Sequence, residues 1–252
     1  MEKIQLFVEQ SPRDNRDWIA ETIFSSSTTY PKKLDLRKDL QDIRNQGNSG
    51  TCVAQSATCM KEWQEKKDVN LSAHLSPQFI YNLRSNKNEG MYGRDLMRIL
   101  SKIGVCLELD YNYGKKESKE EIMKNNELLT KANNFKIKSY ARINTVDTLK
   151  KALNQNGPCV ICFPVYDHSV TMWKPKKVGQ EIIGGHAMAV VGYDEKNFII
   201  RNSWGKNWGN DGYCNYSFND WGCHWEIWTT IDDKSTEVKI PKCSFKSCFV
   251  KK

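Results

Sequence analysis

The sequence predicts an α+β protein with two unlike halves, because the spacing of its apolar residues changes once along the chain. Up to about residue 113, apolar residues recur at helical spacing. Beyond about residue 135, short β-branched and aromatic runs alternate with turn residues. No internal repeat is visible, and 252 residues suffice for one large domain or for two lobes around a cleft.

Residues Met1 to Pro31 are polar apart from the amphipathic patch Trp18 to Phe24, which precedes the Ser/Thr-rich run Ser25 to Thr29. After a turn at Gly47 and Gly50, Thr51 to Lys67 reads as a helix. Val53, Ala57, Met60 and Gln64 form its stripe, and Ala54 and Trp63 widen it. Cys52 therefore opens a largely buried helix, where the positive end of the macrodipole is expected to lower a thiol pKa. Further helices are expected over Ser76 to Arg84 and Arg94 to Ile103, and the charge-rich run Lys115 to Lys131 reads as a surface crossover. Strands are expected over Phe135 to Ile143, Val160 to Val165, Ala187 to Tyr193, Phe198 to Asn202 and Tyr213 to Phe218. A helix, Val146 to Leu153, falls among them.

Composition removes several function classes. The net charge is +8, but Lys and Arg are interleaved with Asp and Glu, which describes a solvated surface rather than a nucleic-acid tract. No stretch approaches the roughly 18 apolar residues of a membrane span, and residues 1–9 lack the apolar core of a secretory signal. Nine cysteines cannot all pair within one chain. Cys159 and Cys162 lie in an apolar strand-like run and read as core thiols on opposite faces. With no histidines at zinc spacing beside them or beside Cys243 and Cys248, no metal and no cofactor are expected.

Four residues carry a coherent chemistry. Cys52 supplies a thiol, His186 in Gly185-His186-Ala187 an imidazole, Asn202 in Asn202-Ser203-Trp204-Gly205 an amide to orient it, and Gln46 a spare amide donor. A thiol needs a base, the base needs a partner to hold its tautomer, and a developing oxyanion needs donors. His186 and Asn202 flank two apolar runs joined around Asp194, midway between them, so a hairpin centred there sets the two side chains opposite one another.

From about Leu34 to about Ile231 the chain resembles the papain family of cysteine peptidases. Gln46, Gly47, Gly50 and Cys52 match the family's motif around the nucleophile, whereas Ser49, Thr51 and Val53 depart from it. Asn202-Ser203-Trp204-Gly205, Trp208-Gly209 and Gly212-Tyr213 follow the family pattern throughout, and His186 and Asn202 follow Cys52 at about the 130–150-residue separation typical of such enzymes. The resemblance implies a papain-like two-lobe fold, with a helical left lobe (about 34–113), an antiparallel β-barrel-like right lobe (about 135–231) and the active site between them. Residues 1–33 are expected to form an extension that is either a short latch across the cleft, with Trp18, Ile19, Ile23 and Phe24 as apolar anchors, or an arm that only packs on the surface. Residues 232–252 are expected to form a basic tail.

The same resemblance implies a thiolate–imidazolium pair of Cys52 and His186, an oxyanion hole made by Gln46 and the Cys52 N–H, and a shielding role for Trp204. Gly90, Met91, Tyr92, Cys162, Gly185 and Ala187 would bind substrate around an apolar second subsite. Ser49 stands where secreted members carry a bridging cysteine, so that bridge is excluded. Together with the absence of a signal sequence, this favours a reducing intracellular or virion-associated setting. The expected function is a monomeric cysteine endopeptidase acting on polypeptides. An inactive papain-like binding protein, or an amidase or acyl transferase using the same dyad, is the alternative.

Overall fold

The computed structural model describes residues 6–24, 28–86 and 88–232. Cys243, Cys248 and the basic tail beyond Asp232 lie outside the described residues, as do Ser25 to Ser27. The elements run β1 (Val8–Glu9), β2 (Leu34–Asp35), α1 (Cys52–Val69), α2 (Pro77–Asn82), β3 (Met91–Tyr92), α3 (Gly93–Lys102), α4 (Lys119–Lys124) and α5 (Asn126–Asn133). They continue with β4 (Ile137–Arg142), α6 (Val146–Asn156), β5 (Cys159–Val165), β6 (Gly184–Tyr193), β7 (Asn197–Arg201), β8 (Tyr213–Ser217) and β9 (Glu226–Asp232).

One sheet carries the second half, in the order β4-β9-β5-β6-β7-β8, with β2 pairing antiparallel to β6. Its pairings are antiparallel throughout, as the α+β class requires. The helices of the first half form the other lobe. α1 lies between the lobes, packing on α2 and α3 on one side and on β5 and β6 on the other. That position explains its sequence: a helix covered all round is not strongly amphipathic. Beyond the expected apolar stripe, Gln55, Lys61, Glu62 and Glu65 are buried as well. Lys61 Nζ donates to the Glu65 carboxylate at 2.5 Å, one turn along the helix, so neither charge is buried unpaired. Asn70, at φ 54°, closes the helix by donating its N–H to the Glu65 and Lys66 carbonyls.

Two differences from the sequence expectation have local causes. The crossover Lys115 to Lys131 contains α4 and α5, each opened by a cap. Ser118 and Glu121 form a reciprocal capping box, and the Asn125 side chain accepts from Leu128 N–H. β9 was not anticipated, because its alternation begins with a charged residue, Glu226, that proves to be buried. Two cores result. One lies under α1 to α3 and reaches Cys162 and Ala187 of the sheet; the other fills the β lobe around Phe163, Trp173, Phe198 and Tyr216. Trp173 and Trp228 are fully buried core residues.

Candidate active site

Cys52 is the first residue of α1 and is fully buried. The turn that presents it needs two glycines for different reasons. Gly47 sits at φ +58°, and a Cβ on Gly50 would come within 2.8 Å of both the Glu89 carbonyl and the Phe7 ring. The N–H groups of Ala187, Val53 and Cys52 itself point at the sulfur and favour a thiolate, but burial outweighs them and pushes the thiol up to about 11. The helix terminus alone therefore does not produce the low thiol pKa anticipated from sequence.

His186 and Asn202 are joined side chain to side chain, Nε2 to Oδ1, at 2.7 Å. Asn202 Oδ1 also accepts from Ser203 N–H at 2.7 Å, which fixes it as an acceptor and makes His186 Nε2 the protonated nitrogen. His186 Nδ1 is buried and has no protein partner, which is the state a waiting base requires. Burial pulls the imidazole down to about 4 despite the Asn202 hydrogen bond. Trp204 lies over the imidazole ring, with centroids 4.3 Å apart. The strand register corrects one expectation. Ala189 pairs with Arg201, and a bulge falls between Val190 and Gly192. Met188 is thus level with Asn202, and His186 reaches it diagonally, two residues along the same face.

Gln46 is almost wholly buried. Its Nε2 donates to the Ser49 carbonyl at 2.8 Å, which leaves the second amide hydrogen for another acceptor. Its Oε1 accepts from Ser203 Oγ at 2.7 Å. Its carbonyl accepts from the Tyr113 hydroxyl at 2.8 Å, and Tyr113 is also bonded to Thr51 Oγ1. Ser203 and Tyr113 are supporting residues that the sequence reasoning missed. Their signal was present, Ser203 in the Asn-Ser-Trp-Gly run and Tyr113 in the aromatic turn that closes the helical half.

The residues expected to bind substrate line one cleft, and the N-terminal arm lies in it. β1 pairs in parallel with β3, Val8 opposite Met91, and Met91 N–H donates to the Phe7 carbonyl at 3.1 Å. Val8 is buried in the cluster that contains Cys52, Met91, Cys162, Ala187 and Trp228. Gly90 and Gly185 admit the arm's backbone: a Cβ there would lie 2.9 Å from the Phe7 carbonyl oxygen and 2.2 Å from that of Val8. Tyr92 pairs with Glu9 at the edge of the cleft. Farther on, Ser11 Oγ donates to Glu226 at 2.9 Å, and Arg94 holds the Asp17 carboxylate through two bonds. The anchors expected of the arm sit differently. Trp18 and Ile23 are 68 % and 39 % exposed, Ile19 bridges to Arg142, and Phe24 packs on the β-lobe core. Trp225, also missed, walls the cleft beside Gly185.

The remaining histidines have other neighbours: His74 approaches Glu62, His224 bonds Tyr216, and His168 packs edge-on against Trp204. Among the described residues, Cys52, Cys59, Cys106, Cys159, Cys162, Cys214 and Cys223 are free thiols. Among these described residues, no cluster of three or more His, Cys, Asp or Glu is arranged to hold a metal, and no helix is long and apolar enough to cross a membrane.

Comparison with known proteins adds an independent line. The model of the papain family cysteine proteases matches residues 30–230. A peptidase C1-like protein of Acanthamoeba polyphaga mimivirus is 32 % identical over 213 residues, 74 % of this chain and 67 % of its own length. A KDEL-tailed cysteine endopeptidase of Arabidopsis thaliana is 30 % identical over 199 residues, 73 % of this chain and 53 % of its own length. The chain thus spans between about half and two thirds of these two relatives. Among solved structures, xylellain, a cysteine protease from Xylella fastidiosa, superposes with a TM-score of 0.77 at 25 % identity, covering 92 % of this chain and 97 % of xylellain. Procathepsin L 3 of Tenebrio molitor, at 18 % identity and a TM-score of 0.70 over 89 % of this chain and 77 % of its own, shares the fold.

Proposed function

The chain belongs to the papain family of cysteine proteases, and on that premise we propose that it is a cysteine endopeptidase cleaving polypeptides through Cys52, His186 and Asn202. The observation that carries the reading is the His186 Nε2–Asn202 Oδ1 bond under Trp204, which leaves Nδ1 free as a base. The Cys52 thiolate adds to the peptide carbonyl carbon. The oxyanion is held by the Cys52 N–H and the second amide hydrogen of Gln46. His186 protonates the departing amine as the acyl-enzyme forms, then takes a proton from the water that hydrolyses it. Met91, Cys162 and Ala187 form an apolar subsite, bordered by Gly90, Tyr92 and Gly185. The protein acts as a monomer and needs no cofactor.

In this reading the arm is a latch, and Val8 fills the subsite that a substrate side chain would take. Covering Cys52 and His186 keeps both neutral, so the ion pair forms only when the arm is displaced. Mass spectrometry after reaction with an epoxysuccinyl inhibitor tests the assignment. A single adduct on Cys52, lost in Cys52→Ala together with peptide hydrolysis, is expected. An adduct on Cys59 or Cys106 would refute it. Product analysis with and without an added amine separates hydrolysis from acyl transfer.

A further inference from the structure

Behind the candidate triad, between α1 and β7, lies a cavity of about 10 Å³, lined in part by Arg44, Gln55, Glu62 and Asn202. Three of these residues have buried polar atoms with no protein partner: Arg44 Nε, Gln55 Oε1 and Asn202 Nδ2. Unsatisfied buried polar atoms are rare, and three on one cavity call for a common partner. We propose that the cavity binds one water molecule, through which Gln55 acts as a positioning residue for Asn202; this rests on the catalytic reading above.

Size and donor inventory select the ligand. The cavity has the volume that a single water fills, and a water with two to four polar partners is stable there. Arg44 Nε and Asn202 Nδ2 only donate, so a cation has no place. The Gln55 oxygen and the Glu62 carboxylate only accept, so an anion has none either. Water alone accepts from the first two and donates to the others. With its hydrogens committed to Gln55 and Glu62, it can only accept from Asn202. It therefore recognises the amide's NH₂ end, and the oxygen is left to face His186. A carboxamide is nearly symmetric in shape, so its orientation must come from such contacts. Ser203 N–H fixes the oxygen end, and the water fixes the nitrogen end.

Two experiments test the proposal. The first needs no activity: a crystal structure of the unmodified protein at atomic resolution should show one fully occupied water within hydrogen-bond distance of Arg44 Nε, Gln55 Oε1 and Asn202 Nδ2. A dry cavity overturns the proposal whatever the protein's function. The second is a cycle of Gln55→Met and Asn202→Ala. Gln55→Met should lower kcat by about tenfold with little change in KM, and should shift the acidic limb of the pH–rate profile. In the Asn202→Ala background it should have almost no further effect. An equal loss in both backgrounds would make Gln55 merely structural and overturn the positioning role.

Discussion

Cys52 and His186 each lose their charged form to burial, the thiol pushed up to about 11 and the imidazole drawn down to about 4. What remains in this state is their geometry. Gln46 is clamped at three points, by Ser49, Ser203 and Tyr113, so its free amide hydrogen has a fixed direction. Gln46→Ala is expected to lower turnover by about 10² to 10³ in a peptide hydrolysis assay. His186→Ala should be almost inactive, and Asn202→Ala less impaired, because Trp204 still holds the ring. An active His186→Ala protein would place the base elsewhere. The residue types and their order were legible in the sequence because thiol, imidazole and amide have few other reasons to recur in such motifs. The protonation states were not, because desolvation depends on what lies across the cleft.

At the scale of elements, the proposed latch rests on how the arm is held. Two residues of strand place Val8 among Cys52, Met91 and Cys162, and Ser11 and Asp17 fasten the arm to Glu226 and Arg94. Deleting residues 1–29 should lower KM for small peptides with little change in kcat, and the excised peptide should inhibit in trans. Unchanged KM and no inhibition would leave the arm a surface strap. Val8→Asp should act in the same direction, since an unpaired carboxylate in that apolar cluster is costly. The deletion should also speed alkylation of Cys52 at neutral pH, because solvent access restores the charged pair. The sequence pointed to the wrong stretch of the arm. Trp18 to Ile23 is the more apolar run, but it lies away from the cleft, whereas Leu6-Phe7-Val8 is too short to show a period. α4 and α5 escaped for the same reason, being held by caps rather than by an apolar stripe.

At the scale of the molecule, the change of apolar period is less sharp in the structure than in the sequence, since the core under the helices also takes in Ile122, Leu128, Ala132, Phe135 and Ile137, together with Cys162, Ala187 and Trp228 of the sheet. The register that sets His186 diagonally to Asn202 was not legible, because the hairpin closes at Tyr193 and Phe198, beyond the centre at Asp194 that the spacing suggested, and a bulge recovers only part of that offset. Free thiols among the described residues predict that a phosphine reductant leaves Tm unchanged, and a large fall would reveal a structural bridge. Acid should act more strongly. Burial draws both His186 and His224 down to about 4, and the Tyr216 hydroxyl, donating to the Asp220 carbonyl, accepts from His224. In the unfolded chain each would titrate near 6.5, so between about 6.5 and 4 the unfolded state binds more protons than the native one. The stability these neutral rings contribute is complete above about 6.5 and is lost as pH falls through about 4. Glu226 works in the opposite direction, because burial raises its pKa and the folded state gains a proton as pH falls. Asp35 and Asp147, held below the usual carboxylate range by hydrogen bonds from Arg37 and Lys151, add to the histidines as pH nears 4, so Tm should decline steadily from pH 7 to 4 in a calorimetric series. His224→Gln, far from the thiol in sequence, should flatten that decline without changing the inhibitor adduct on Cys52. An equally steep decline in His224→Gln would assign the acid sensitivity to other groups.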